Sequence, residues 1–267
     1  LIVDEVEYVI REYGANYINF FDDLSFASLP QVEKVCDEIL KRGVEFQWSA
    51  SIRSDLFGNE RRSYEKRLRV AQKMKDAGCT GVGFSLESGS QEILDMMNKR
   101  VKVEYFEEQI KMCRKVGLSV YTAVVFGYPI ETPETIKATF DMCKELEVYP
   151  SIGFLMPLPA TGMYQYAIDN GFITDEDKYL EGITERQDIG LNMTSMTDDE
   201  LIECIKDGAR EINKLLNLGL DEDSYVKTGG YKRQTNLENE QEIGDQLREE
   251  DRLRVLDPDN MERTEND

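Results

Sequence analysis

The sequence predicts a parallel α/β fold, and three observations carry that prediction. β-rich runs fall at 17–23, 46–54, 81–88, 119–128 and 151–158. Helix-patterned sequence separates each run from the next. Each run also stops abruptly in polar, Gly or Pro residues. Strands that alternate with helices pair in parallel through right-handed crossovers. In such folds, ligands and reacting groups gather at the carboxyl ends of the strands. The five ends carry Asp22 and Asp23; Ser49, Ser51 and Arg53; Glu87 and Ser88; Gly127, Tyr128 and Pro129; and Pro157, Leu158 and Pro159.

Each element has its own signal. Residues 1–14 read as a helix, with Ile2, Val6, Val9 and Ile10 on one face and Gly14 as its stop. That helix opens without a capping residue or a Met, so the chain reads as part of a longer protein. A second helix is expected at 29–41, with Pro30 in its first turn and Gly43 just beyond its end. Residues 56–64 read as a polar loop, and a helix over 64–77 closes at Gly78. Ser90 is placed to cap a helix over 91–98, and a further helix over 103–116 ends at Gly117. The run 120–126 is almost wholly apolar, as a strand buried on both faces would be. Thr132 and Pro133 open the next helix. A short helix at 163–170, a loop to about 194 and an amphipathic helix over 198–218 complete the pattern. From Asp221 onward apolar periodicity is lost, and the stretch reads as disordered.

Composition narrows the function. The 267 residues hold 32 basic and 53 acidic side chains, a net charge of −21. Such a surface repels phosphate backbones and anionic lipid, so neither nucleic acid nor membrane is the expected partner. No apolar run approaches the roughly 18 residues a membrane span needs. The five cysteines (Cys36, Cys79, Cys113, Cys143 and Cys204) are odd in number and scattered. That suits reduced thiols of a cytoplasmic protein, packed as small hydrophobes, better than a disulfide framework. Histidine is absent. Chemistry must therefore come from carboxylates, hydroxyls, arginine or a cofactor.

Read together, the strand ends carry an ordered series of motifs. They run Phe-Phe-Asp-Asp-Leu-Ser-Phe, Trp-Ser-Ala-Ser-Ile-Arg, Ser-Leu-Glu-Ser-Gly-Ser-Gln-Glu-Ile-Leu-Asp-Met-Met, Val-Phe-Gly-Tyr-Pro-Ile-Glu-Thr-Pro-Glu-Thr and Pro-Leu-Pro-Ala-Thr-Gly-Met-Tyr. Over about residues 1–190 this series resembles the radical S-adenosylmethionine (SAM) enzymes. The likeness is strongest to the branch that often carries a cobalamin-binding domain, such as the Mg-protoporphyrin ester cyclase group. The resemblance implies a partial (β/α)6 TIM-like barrel, here missing its first strand, over 1–190. A C-terminal helical extension (191–220) and an acidic disordered tail (221–267) would follow. It implies SAM bound to a [4Fe-4S] cluster, and reductive cleavage to a 5′-deoxyadenosyl radical or methyl transfer through cobalamin. It further implies a small organic substrate and an electron donor such as flavodoxin or ferredoxin.

By the same resemblance, Asp22 and Asp23 hold the methionyl ammonium of SAM, where a carboxylate pairs well. Ser51 and Arg53 face its carboxylate, and Glu87 and Ser88 its ribose. Gly127 admits close backbone approach to the adenine, with Leu155 and Pro157 along its edge. The departures are as informative. No CxxxCxxC motif occurs, Ile130 stands where relatives often have Gly, and Ala160-Thr161-Gly162 replaces a common Gly-Thr-Pro. Without thiolate ligands for a cluster, the chain by itself is expected to be inactive in the family reaction. Two other readings stay open. One is a barrel enzyme that binds Mg²⁺ or Mn²⁺ through Asp22, Asp23 and Glu87. The other is a non-catalytic member that binds SAM.

Overall fold

The computed structural model describes residues 2–183 and 189–226. Five strands form one sheet in the order β1-β2-β3-β4-β5: Tyr17–Phe20, Gln47–Ser51, Cys79–Glu87, Ser119–Phe126 and Ser151–Phe154. Every neighbouring pair is parallel. A sequential order of parallel strands is instructive. With right-handed crossovers throughout, every connecting helix falls on the same face of the sheet. The sheet then curls into a partial barrel instead of being covered on both sides, as the sequence predicts.

The convex layer comprises α1 (Ile2–Tyr13), α2 (Leu29–Arg42), α3 (Tyr64–Asp76), α4 (Gln91–Met96), α5 (Val103–Lys115) and α6 (Pro133–Glu145). Then follow α7 (Gly162–Asp169), α8 (Glu176–Gly182) and α9 (Asp198–Leu216). Trp48, Val82, Phe84, Leu86, Val124, Phe126 and Phe154 point into the core between sheet and helices. Alternate strand positions line the concave face and are small or polar: Asn19, Ser49, Ser51, Gly81, Gly83, Ser85 and Ala123. A two-residue period therefore separates a packed face from an open one.

Several local signals act as the sequence predicts. Gly43 ends α2 in the left-handed region, with φ 65°. Thr132 and Thr135 form a reciprocal capping box at the start of α6. Arg42 of α2 reaches Asp4 and Glu7 of α1 at 2.6 and 3.0 Å, joining the first two helices. Cys36, Cys79, Cys113 and Cys143 are buried, and no cysteine is in a disulfide.

Other expectations are corrected. β4 is not buried on both faces: Tyr121 is 62% exposed, because its side chain stands on the concave face. Ser90 begins α4 without capping it; instead its N–H donates to Ser88 Oγ at 3.1 Å. The helix expected over 91–98 stops at Met96. The loop expected before Thr194 contains α8, because Asp175 caps it by accepting from the Lys178 N–H at 3.1 Å. The segment expected to be disordered from Asp221 is ordered as far as Val226. Tyr225 and Val226 are buried in the core, and the Asn213 amide lies 2.6 Å from the Tyr225 hydroxyl. The remainder of the acidic tail, 227–267, lies outside the described residues.

α9 belongs to the same compact unit as the barrel, which extends to Val226. The contact is specific: Gly208 of α9 lies on the Phe140 ring of α6, where any Cβ would overlap the ring. Phe140 in turn stacks on Phe126 of β4 with centroids 5.4 Å apart. Among the described residues, no helix is long and apolar enough to cross a membrane.

Candidate functional site

A cleft opens on the concave face at the carboxyl ends of β1 to β4. It has two lobes, of about 570 and 490 Å³. Phe21, Asp23, Ser51, Gly83 and Tyr121 line both lobes. The larger lobe adds Arg53, Ser85 and Lys99, and the smaller adds Tyr17, Asn19, Asp22 and Ser49. The structure thus gathers Asp22, Asp23, Ser51 and Arg53 around one cleft.

The two acidic residues sit on an exposed turn just beyond β1, fastened by Ser25 Oγ donating to the Phe20 carbonyl at 3.1 Å. Arg53 is half-exposed, and its Nε donates to Asp55 Oδ1 at 2.5 Å. Asp55 is only 3% exposed and also accepts from Asn59 Nδ2 at 2.7 Å. The guanidinium is therefore anchored from behind and can present its outer edge to a ligand. Tyr17, Ser49 and Asn19 form a chain across the smaller lobe. The Tyr17 hydroxyl donates to Ser49 Oγ at 2.8 Å, and Ser49 Oγ donates to Asn19 Oδ1 at 2.9 Å.

Glu87 ends β3 at a register shift and holds a left-handed backbone, with φ 67°. That conformation is uncommon for a residue other than glycine and directs attention to function. Its carboxylate is held by Lys99 Nζ at 2.5 Å. Ser88 points the other way. It is buried, with its Oγ 3.2 Å from Thr139 Oγ1 of α6. The adjoining Gly89 N–H donates to the same Thr139 hydroxyl at 2.9 Å. A Cβ at Gly89 would lie 2.7 Å from the backbone of α6, so only glycine permits this approach.

Gly127, Leu155 and Pro157 lie along the β4–β5 end of the sheet. Gly127 adopts φ 100°, and the Leu155 N–H donates to the Phe126 carbonyl at 2.8 Å. Pro157 is buried, and its carbonyl accepts from the Tyr179 hydroxyl at 2.7 Å.

Three residues join the site that motif reading did not single out. Lys99 faces the larger lobe; its only signal in the sequence is its place twelve residues beyond Glu87. Glu131 is 1% exposed. Its carboxylate accepts from the Gly127 N–H at 3.2 Å and lies 2.8 Å from Thr135 Oγ1. Desolvation pushes its pKa up to about 7, although these hydrogen bonds pull the other way. Burial and the neighbouring Glu87 and Glu131 likewise raise the Tyr128 phenol well above its ordinary value. The third residue is Tyr121, which lines both lobes.

Two cofactor tests follow from this geometry. No three His, Cys, Asp or Glu side chains converge to hold a metal ion among the described residues. Asp22, Asp23 and Glu87 are accordingly not gathered as the divalent-metal reading requires. A [4Fe-4S] cluster needs deprotonated thiolates that converge on it. Here Cys36, Cys79, Cys113 and Cys143 are buried on separate elements, and desolvation pushes each thiol up to about 12. These cysteines do not fit a cluster. By contrast, carboxylates (Asp22, Asp23) and cations (Arg53, Lys99) both line the two-lobed cleft, which suits a zwitterionic ligand.

Fold and cleft together define a partial-barrel protein that gathers polar and charged groups at the ends of parallel strands. The chain belongs to the radical SAM superfamily, whose sequence profile matches residues 1–143. It is 30% identical over 173 residues to an uncharacterized methyltransferase of Pyrococcus horikoshii, covering 64% of this chain and 36% of that one. It is 34% identical over 111 residues to the bacteriochlorophyllide d C-8(2)-methyltransferase of Chlorobaculum tepidum, covering 40% of this chain and 25% of that one. The chain thus spans about a third or less of these relatives' length. The radical SAM methyltransferase TsrM from Kitasatospora setae, solved with cobalamin and a [4Fe-4S] cluster, superposes with a TM-score of 0.51. That match is 20% identical over 63% of this chain and 31% of TsrM, and it is a likeness of fold.

Proposed function

We propose that this chain is the SAM-cradling part of a radical SAM methyltransferase that acts on a small organic substrate. The observation that carries the reading is the mixed charge of the cleft. Asp23, Arg53 and Lys99 line the larger lobe, and Asp22 and Asp23 line the smaller. A methionyl group presents an ammonium and a carboxylate at one carbon, and this arrangement pairs both. Bound SAM supplies the methyl or deoxyadenosyl group of the family's chemistry.

The chain's own residues position it. Asp22 and Asp23 receive the ammonium. Arg53, braced by Asp55, and Lys99, braced by Glu87, receive the carboxylate, with Ser51 beside them. Glu87 accepts from the ribose hydroxyls, and Ser88 fixes the turn that carries it. Gly127, Leu155 and Pro157 form the rim where the adenine lies, and Glu131 holds the Gly127 N–H in place. None of these residues would ligate a cluster, and the electron donor of the reading is a separate protein such as flavodoxin or ferredoxin. The acidic balance of the chain favours a small substrate over nucleic acid.

The test is calorimetric titration of the full chain with SAM. Saturable binding that weakens at least tenfold in both Asp23→Asn and Arg53→Met supports the reading. Absence of saturable binding, or binding indifferent to both substitutions, refutes it.

A further inference from the structure

The concave face carries two large aromatic side chains that no packing requirement explains. Phe21 is 92% exposed and Tyr121 is 62% exposed, and both line both lobes of the cleft. Ser51 pairs with Gly83, and Gly83 pairs with Tyr121. β1 ends at Phe20, opposite Ala50, and Phe21 follows directly as the chain leaves the sheet. Ser51, Gly83 and Tyr121 thus form one row across the sheet, and Phe21 borders the same cleft from beyond the end of β1.

The glycines of β3 shape this face in two different ways. A Cβ at Gly81 would lie 2.9 Å from the Tyr121 ring, so Gly81 is where that ring rests. A Cβ at Gly83 would meet nothing within 4 Å. The space above Gly83 is therefore open cleft, and glycine there leaves room for something other than protein. Exposed aromatic faces in a concave site gain most from another flat π-system, which they stack against without needing hydrogen bonds. The side chain of Asn19 borders the same lobe and adds a polar contact.

We infer that the cleft bordered by Phe21 and Tyr121, and floored by Ser51 and Gly83, receives a planar conjugated ring that stacks on Tyr121, and that the substrate carries such a ring. This inference names the substrate class of the site above and rests on that reading.

The probe is 2-naphthamide, a neutral flat bicycle, compared with its saturated decahydro counterpart by calorimetry on the full chain. The flat ring is expected to bind at least fivefold more tightly. Tyr121→Leu should weaken naphthamide about tenfold, and Tyr121→Phe should preserve it, since stacking needs the ring and not the hydroxyl. Gly83→Val fills the open space with a residue that strands favour, so it should abolish naphthamide binding without lowering the melting temperature. Equal binding of flat and saturated rings overturns the inference, as does no naphthamide binding up to its solubility limit. Undiminished binding by folded Gly83→Val also overturns it. If Gly83→Val does not fold, Tyr121→Leu decides on the same terms. SAM is titrated separately. SAM binding without naphthamide binding removes the ring site alone, whereas naphthamide binding without SAM binding removes the functional reading and leaves the ring site.

Discussion

Lys99 Nζ lies 2.5 Å from Glu87 Oε1, and Glu87 has a left-handed backbone, with φ 67°, where β3 ends. The pair joins the end of β3 to the turn after α4 at the wall of the larger lobe. Lys99→Met removes the cation and leaves the carboxylate with no counter-charge. Both side chains keep some solvent contact, so the stability cost is expected to be about 1 kcal/mol, toward the surface end of ion-pair values. SAM affinity should fall by at least tenfold. An unchanged affinity, measured by calorimetry, would remove Lys99 from the binding site and leave it a purely structural partner of Glu87.

Arg53 has two candidate roles, and one cycle of variants separates them. Its partner Asp55 is buried, so Arg53→Met leaves that carboxylate with Asn59 as its remaining side-chain donor. A loss of about 1–2 kcal/mol is expected. Adding Asp55→Asn removes the stranded charge and should recover most of that loss in urea titrations. It should not recover SAM binding. Full recovery of both properties would show that Arg53 serves only Asp55.

Glu131 gives the fold a pH dependence of definite sign. Its carboxyl is raised from 4.5 to about 7 in the folded chain. The folded state therefore holds this proton more tightly than the unfolded state. The resulting stability is complete below about pH 4.5, declines as pH rises toward 7, and is gone above that. The full excursion is on the order of 3 kcal/mol. Glu131→Gln keeps the acceptor for the Gly127 N–H but does not titrate. The difference in stability between the wild type and this variant should slope through pH 4.5–7 and flatten above. A difference that is flat throughout that window would mean that Glu131 is not raised.

Gly89 lies against the backbone of α6, at the loop that carries Ser88. Gly89→Ala places a methyl where the Ala138 carbonyl stands, and rigid backbone on both sides leaves little room to yield. Destabilisation of about 2 kcal/mol or more is expected, in the range of overpacked interiors. A melting temperature within a degree of wild type would show that the loop relaxes freely.

Much of this architecture is legible in the sequence, because its signals are local. Pro30 with Gly43, and Thr132 with Pro133, each punctuate a helix through their own backbone constraints. The alternation of β-rich and helical runs dictates parallel pairing wherever the partners lie. Legibility fails where a residue's role depends on what faces it. β4 looks like a strand buried on both sides because its composition is apolar, yet sequence cannot say that the sheet curls and leaves Tyr121 open. Ser90 has the right residue type for a cap, but its N–H is drawn to Ser88.

The same division runs through the site. The order of strand-end motifs by itself determined the family, the partial barrel, and the residues Asp22, Asp23, Ser51, Arg53 and Glu87 as occupants of its rim. Tertiary structure alone decided that Ser88 turns into α6 while Glu87 turns to Lys99. It alone decided that Arg53 leans on Asp55, that Glu131 is buried, and that Phe21 and Tyr121 border one cleft with Ser51 and Gly83. The physical reason is that propensity and periodicity act over a few residues along the chain. Charge pairing, desolvation and the open space above a glycine depend on which elements come to face one another, and they exist only once the sheet has curled.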